Sequence, residues 1–493
     1  MRDVVVVGSG PNGLAAAVVL ARSGLAVTLV EGQSTLGGGI RTLPLTSPQV
    51  SEAEGLLRDV CAAVPAAAPA SAFFAEFDLA ARGVELITPE VSYVQPLDGG
   101  RAGVAYRDIE RTVDGLGADG SRWKGLLGHL AAHPRELSAV ALSDKRSLPF
   151  APGLSPAAVA STAAALGMST AALSRTALLD RVWRGDVAPA LITGVAAHTI
   201  APLPSLAGAA TATMLGALAH TATGWPVVRG GIGAIAQALV ADLRAHEVEI
   251  LTGHPVASVA DLPPARAYLF DTHAHMLAPM LAEPFRSRLM GLGLAAGVCK
   301  IDYMLSGPVP WTHPEVGRAG TVHLGGSVAD MREAEAAVGA GRHADRPVML
   351  VSDPALHDPT RLGRTGLRPL WTYAHVPHGS TLDVRSAADA QLERFAPGFR
   401  DLVVDAVVTP ASRLADHNAS LVGGDISGGT VNLWRMIARP TASPDPYAVA
   451  PQIYLGSSST PPGPGVHGMC GVHAARRLLR REFDIRSLPA LGP

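Results

Sequence analysis

Near its start the chain reads VVVVGSGPNG, Val4 to Gly13, and few stretches limit a fold more. A short β-rich run, Asp3 to Val7, predicts a buried parallel strand, and the small-faced stretch Leu14 to Ala21 predicts the helix that follows. In the turn between them Gly8 makes the tight bend, Gly10 lets a pyrophosphate approach the backbone, and Gly13 lets helix and strand pack closely. Ser9, Pro11 and Asn12 complete the loop, and free amides at the helix start face the phosphates. A second strand, Ala26 to Val30, ends in Glu31, about 20 residues on, where a carboxylate accepts from ribose hydroxyls and repels a 2′-phosphate. NADP is therefore disfavoured at this turn.

FAD and NAD share such a cradle, so the next stretch has to discriminate. It reads GQSTLGGGIRT, Gly32 to Thr42. Gly37, Gly38 and Gly39 expose backbone amides, and Arg41 can neutralise phosphate or approach a flavin edge.

These segments resemble the flavoprotein superfamily of amine oxidases and phytoene desaturases, in which a GxGxxG unit ending in Glu runs into a GG-x-x-R-T segment. The far end, YLGSSSTPPGPGVHGMCGVHAARRLLRR from Tyr454 to Arg481, is similar to the closing motif of bacterial phytoene desaturases and their carotenoid-isomerase-like relatives. GWPVVRGGIGAIAQALVADL, EVEILTGHPVASV and WTYAHVPHGS extend the likeness over most of the chain. Pro464, where relatives carry another glycine, and the CAAVPAAAP stretch from Cys61, which lacks a His-Pro, depart from it.

The resemblance implies that Gly8 to Gly13, Glu31 and Gly32 hold the ADP half of FAD, and that Gly38, Gly39, Arg41 and Thr42 lie along its pyrophosphate and flavin side. It implies a backbone contact of Val256 with adenine, Gly456 and Ser457 near the ribityl chain, and Gly465, Val466, His467, Gly468 and Met469 against the pyrimidine edge of the flavin. Gly468 to Ala475 also has the look of a helix start, whose positive end favours an anionic reduced ring.

The expected fold class is α/β: a discontinuous Rossmann-type FAD-binding domain from residues 1–75, 226–305 and 450–493, and an α+β substrate domain from 76–225 and 306–449, with helices and a mixed sheet. The leading segment 76–225 reads as largely helical. Strands are expected at Val348 to Ser352, Leu370 to His375 and near Val431. The RGGIG before the helix Ile232 to His246 imitates a second cradle but lacks a good preceding strand.

Since a flavin takes hydride at N5, the protein's task is to position a C–H bond and exclude water. His467 is the polar candidate for guiding a proton, weighed against a structural histidine. Tyr373 and His375 share a strand face, and with His378 and Trp225 they are candidates to line the substrate pocket. Cys299 and Lys300 read as structural, and Asp425 as a turn-former. His273 and His275, on one expected strand face, lack the partners of a metal site.

Charge narrows the partners. With 40 basic and 42 acidic residues, net −2, nothing attracts nucleic acid. Three scattered cysteines and a start without a secretory pattern lead to the expectation of a cytoplasmic protein. The Ala-rich stretches Ala157 to Leu179 and Val187 to Trp225 read as soluble helices, with peripheral membrane contact as the alternative. The expectation is an FAD-dependent oxidoreductase dehydrogenating a lipophilic, conjugated or polyene small molecule, with oxygen or a quinone as electron acceptor. Alternatives are a redox-neutral FAD-dependent isomerase, an amine oxidase, and a flavin-free lipid-binding protein like the Rab GDP-dissociation inhibitors.

Overall fold

The structure, a computed structural model, describes residues 2–147, 153–174 and 183–493. Two sheets organise it. The first has six strands in the order Ala448–Ala450, Ile453–Leu455, Ala265–Phe270, Arg2–Val7, Val27–Val30 and Glu249–Leu251. Arg2–Val7 pairs in parallel with neighbours on both sides, and Val4 to Val7 are buried. A strand covered on both faces has no place for the polar alternation of a half-solvated strand, which explains the unbroken valines.

The helix Pro11–Arg22 follows the glycine turn with Pro at its start, where a missing N–H costs nothing. Every residue from Asn12 to Ala21 is buried. One neighbour is the helix Gly233–Ala245 and the other is the last helix, Met469–Phe483. The first turns of the first and last helices touch so closely that a Cβ at Gly471 would lie 1.8 Å from the Asn12 carbonyl oxygen. The two ends of the chain thus share one core, with Leu14, Val18, Ile235, Leu239, Ala474 and Leu478 in it.

The second sheet has seven strands in the order Val403–Thr409, Gly297–Leu305, Arg368–Val376, Met349–Ser352, Ala319–Leu324, Val91–Leu97 and Arg101–Tyr106. One face is apolar: Ile301, Leu324, Met349 and Val351 share a core with Ala388 and Leu392 of the helix Arg385–Phe395. On the other face the register sets His323 opposite Leu350, Leu350 opposite Tyr373, and Tyr373 opposite Lys300. Helices Gly120–Ala132, Val187–Ala196 and Leu206–Ala219 form a third cluster around Trp123, Leu191 and Trp225. Pro156–Leu173 packs on Leu206–Ala219. By length and composition alone Pro156–Leu173 could cross a membrane; Arg175 and the rest of that stretch to Leu179 lie outside the described residues.

Several elements differ from expectation. Gly297–Leu305, assigned above to the first domain as part of 226–305, is an inner strand of the second sheet. Its alternate residues feed two buried faces, which only a covered sheet interior satisfies. Residues 76–225, read as mostly helical, also supply the strands Leu86–Ile87, Val91–Leu97 and Arg101–Tyr106. The strand expected near Val431 is replaced by the short helix Leu433–Ile437, capped by the Asn432 side chain accepting from Arg435 N. Left-handed backbone at Gly428 and Gly429, φ 67° and 117°, breaks extended structure just before it. His273 is not on a strand but caps the short helix Ala274–Leu277.

The helix contact yields a stability prediction. Gly471→Ala forces the two ends apart and should cost about 1–3 kcal/mol, whereas Gly125→Ala, in open space within Gly120–Ala132, should stabilise by about 0.5–1 kcal/mol. Denaturant midpoints of the two variants check the difference in sign.

Candidate active site

At the opening turn Gly8 has φ 97°, and a Cβ at Gly13 would lie 2.1 Å from the Gly8 carbonyl oxygen. Ser9 donates to Glu31 Oε2 from both its amide (2.9 Å) and its hydroxyl (2.6 Å), and its hydroxyl accepts from Gly37 N at 3.0 Å. Gln33 N donates to the other Glu31 oxygen at 2.8 Å. Glu31 is therefore held in place at the end of its strand, with Ser9 stitching the first glycine turn to the second. His254 N donates to the Glu31 carbonyl at 3.0 Å, and Gly32 faces Pro255. That brings the segment carrying Val256 alongside Glu31. The Asn12 side-chain oxygen is buried without a partner.

No local motif marks Asp271. Following the strand Ala265–Phe270, it takes the Gly13 amide at 2.7 Å, and its carboxyl also lies against Gly10. Burial pushes this carboxyl up to about 7, against the opposing pull of the Gly13 amide, with Glu31 raising it further.

In the second glycine segment a Cβ at Gly38 would lie 2.8 Å from Gly10 Cα, and Gly39 faces Cys61. Arg41 is buried; it donates to the Gly38 carbonyl (3.1 Å), to Thr35 Oγ1 (2.9 Å) and to the His417 carbonyl. Burial lowers its pKa. Thr42 donates to Asp59 at 2.6 Å and accepts from Gly233 N at 2.8 Å, while Asp59 also accepts from Ile232 N at 3.0 Å. Protein side chains thus fill the imitation cradle of RGGIG.

In the closing motif Gly456 N donates to the Phe270 carbonyl, continuing the sheet, and a Cβ there would press on Ala474 at 2.9 Å. Ser457 is buried and accepts from Ser459 N. Gly465 has φ 139°, and Val466 packs on the core shared by the first and last helices. Gly468, φ 71°, starts the last helix, and Met469 N donates to His467 Nδ1 at 3.0 Å. His467 Nε2 meets the Gly463 carbonyl at 3.2 Å, so it carries the proton. Burial lowers this histidine to about 4. The imidazole is neutral, has both nitrogens engaged by backbone, and holds the loop that leads into the helix.

The polar face of the seven-stranded sheet begins beside this region. Trp371 Nε1 donates to the Cys61 carbonyl at 3.1 Å, next to Gly39. Trp371 and Tyr373 meet edge to face at 5.2 Å, and Tyr373 and His375 stack at 5.8 Å. Lys300 lies over the Trp371 ring and pairs with Asp302, itself paired with Arg58. His375 Nδ1 meets the Glu335 carboxylate. Farther along, His323 and His198 join through their Nε2 atoms at 2.9 Å, and Tyr93 stacks on Trp225 at 4.7 Å. Trp225 is anchored to the Leu215 carbonyl. Trp225, Tyr373 and His375 therefore lie on one face. His378 does not join them: its Nδ1 meets the Ala295 carbonyl and its ring crowds Gly423. Glu335, His323, His198 and Tyr93 escaped sequence reasoning because no local motif marks them; only strand register and the helix Val328–Gly339 bring them together.

With this geometry in view, residues 3–62 match the family model described as FAD dependent oxidoreductase. A curated relative, the Pyridine nucleotide-disulfide oxidoreductase domain-containing protein 2 of Rattus norvegicus, is 25% identical over 313 residues, 54% of this chain and 53% of that protein. The chain thus spans about half the length of the relative it matches. In solved structures the fold resembles a putrescine oxidase variant (TM-score 0.57, 15% identity, 97% of this chain and 99% of that one). It also resembles the cyclohexylamine oxidase of Brevibacterium oxydans (TM-score 0.55, 16% identity, 97% of each chain). At such identities the likeness establishes the fold. The glycine turn, Glu31 and the second glycine segment, all within residues 3–62, carry the signature of the FAD-dependent oxidoreductases, and FAD is the cofactor that this cradle serves.

Proposed function

We propose that this protein is a cytoplasmic, phytoene-desaturase-like enzyme that dehydrogenates a lipophilic, conjugated small molecule and passes the electrons to oxygen or a quinone. The observation that carries the reading is the buried face running from Cys61 and Trp371 through Tyr373 toward Trp225: a long, aromatic, water-poor surface that starts at the second glycine segment. Bound in the cradle, FAD supplies hydride acceptance at N5. The chain's own residues do the rest. Ser9, Glu31 and Gln33 fix the nucleotide end, the two touching helix starts favour its negative charge, and the aromatic face orients the substrate and excludes water. His467 acts as a positioning residue, since neither ring nitrogen is free to take a proton.

Anaerobic single turnover tests the reading. The flavin absorbance should bleach as the product becomes lighter by one H2. A product of unchanged mass would replace dehydrogenation by isomerisation, and peroxide release with simple amines would replace the substrate class.

A lipophilic substrate reaches such an enzyme from a membrane surface. Exposed Met290, Leu294, Trp434 and Ile437 are joined through Arg435 bonding the Gly291 carbonyl and Thr430 bonding the Leu294 carbonyl. With Arg288 and Arg435 beside them they suit an anionic bilayer. The double variant Trp434→Ser, Ile437→Ser should reduce co-sedimentation with anionic vesicles severalfold, without altering FAD content.

Asp271 gives a pH prediction. A carboxyl raised from 3.8 to about 7 in the folded chain contributes stability that is full below its ordinary value and is lost as pH rises toward 7. The pyrophosphate adds negative charge to the same cradle, so FAD binding should take up a proton. Affinity should therefore fall as pH rises through about 7 in the wild type, and Asp271→Asn should flatten that dependence; titrations of the apoprotein at several pH values check this.

A further inference from the structure

The far end of the aromatic face is polar, and its polarity is unspent. Tyr93 Oη, Gln95 Oε1, Thr321 Oγ1, His323 Nδ1 and His375 Nε2 are buried side-chain atoms without a hydrogen-bond partner. Strand register gathers them: Tyr93 stands opposite Thr321, with Gln95 and His323 each two residues on along the same face. Gly194 of the helix Val187–Ala196 closes over the group, for a Cβ there would lie 2.4 Å from Gln95 Oε1 and 3.0 Å from His323 Nδ1. Native interiors rarely leave so many such atoms in one place without a ligand or ordered water to meet them.

Their chemistry is specific. Tyr93 and Thr321 offer hydroxyl donors, and burial raises the Tyr93 pKa, so its proton stays. Gln95 Oε1 is an acceptor. His375 Nδ1 is engaged by the Glu335 carboxylate, which leaves Nε2 as the ring atom turned to the group without a partner. His198 and His323 are held neutral by burial, His198 down to about 3. On this face Lys300 is paired with Asp302, and the Glu335 carboxylate is hydrogen-bonded to His375. Donors and acceptors of neutral side chains stand together, and Lys300, the cation on this face among the described residues, is paired.

We propose that the substrate carries a neutral oxygen function, a hydroxyl or a ketone, which this cluster of Tyr93, Gln95, Thr321 and His323 receives at the end of the face remote from Cys61. The inference rests on the lipophilic-substrate reading and adds to it a polar terminus. A hydrocarbon end would leave every one of these atoms unpaired, and a carboxylate would bury a charge with nothing to balance it.

The test uses the FAD-loaded protein and three probes of one polyene skeleton: retinol, retinoic acid and the hydrocarbon axerophtene. Binding is followed by quenching of tryptophan fluorescence, since Trp225 and Trp371 lie on the face. Retinol should bind about tenfold more tightly than either of the others. Tyr93→Phe and Thr321→Val should each erode that preference while leaving axerophtene affinity and FAD content unchanged. Equal affinity for all three probes, as water filling the cluster would give, overturns the inference and leaves the lipophilic reading standing. So does a preference that survives both substitutions. Failure of all three to bind overturns the lipophilic reading and the inference with it.

Discussion

Asn12 and Gly471, two residues from opposite ends of the chain, meet backbone to backbone, and most of the architecture follows from that meeting. Any side chain at Gly471 would strike the Asn12 carbonyl, so the first and last helices cross at their first turns only because a hydrogen stands there. The crossing lets Ile453–Leu455 join Ala265–Phe270 beside Arg2–Val7 in one sheet. Everything between must then leave that sheet and return to it. It also brings two helix starts together, whose positive dipole ends would favour an anionic dinucleotide.

A second set of contacts fixes the seven-stranded sheet over this cradle. Arg361 pairs with Asp59 at 3.0 Å with both side chains essentially buried, and Arg58 pairs with Asp302 at 3.3 Å. Asp59 is also the group that anchors Thr42 and Ile232. Removing one partner of such a buried pair leaves a desolvated charge and costs about 3–5 kcal/mol. The distance between the glycine segments and the Trp371 face is thus set by charge that has nowhere else to go. The face itself runs the other way energetically: each unpartnered polar atom on it costs about 1–3 kcal/mol. The apolar reverse face, packed on Arg385–Phe395, is where the sheet recovers stability.

What the sequence disclosed was whatever the backbone itself performs. Gly8, Gly13 and Glu31 could be read because a tight turn, a close helix and a strand-ending acid are local requirements with fixed spacing. Met469–Phe483 could be read from Gly468 for the same reason. Asp271 could not, since its meeting with Gly13, 258 residues away in the chain, depends on a long-range strand pairing. Nor could Glu335 or His323, which become neighbours of His375 and Tyr93 only through the register of four strands and a covering helix. The strand expected near Val431 failed on a local rule instead: left-handed Gly428 and Gly429 and the Asn432 cap impose a helix there.

The same distinction bears on catalysis. His467 has the right residue type in the right motif, yet one nitrogen accepts from Met469 N and the other faces the Gly463 carbonyl, so proton transfer would first require dismantling the start of the last helix. Lys300 is bound to Asp302 over Trp371, and burial lowers its pKa. Neither is a free base at the cofactor end of the face. Hydride chemistry tolerates that economy, because the barrier yields to orientation as well as to acid and base. Under the proposed function, binding energy realised at the remote end, at Tyr93 and His323, would be available to hold a C–H bond in line at the near end. In that proposal the sheet would work as a rigid ruler, its polar terminus setting the substrate's register and its aromatic length setting which bond reaches the flavin.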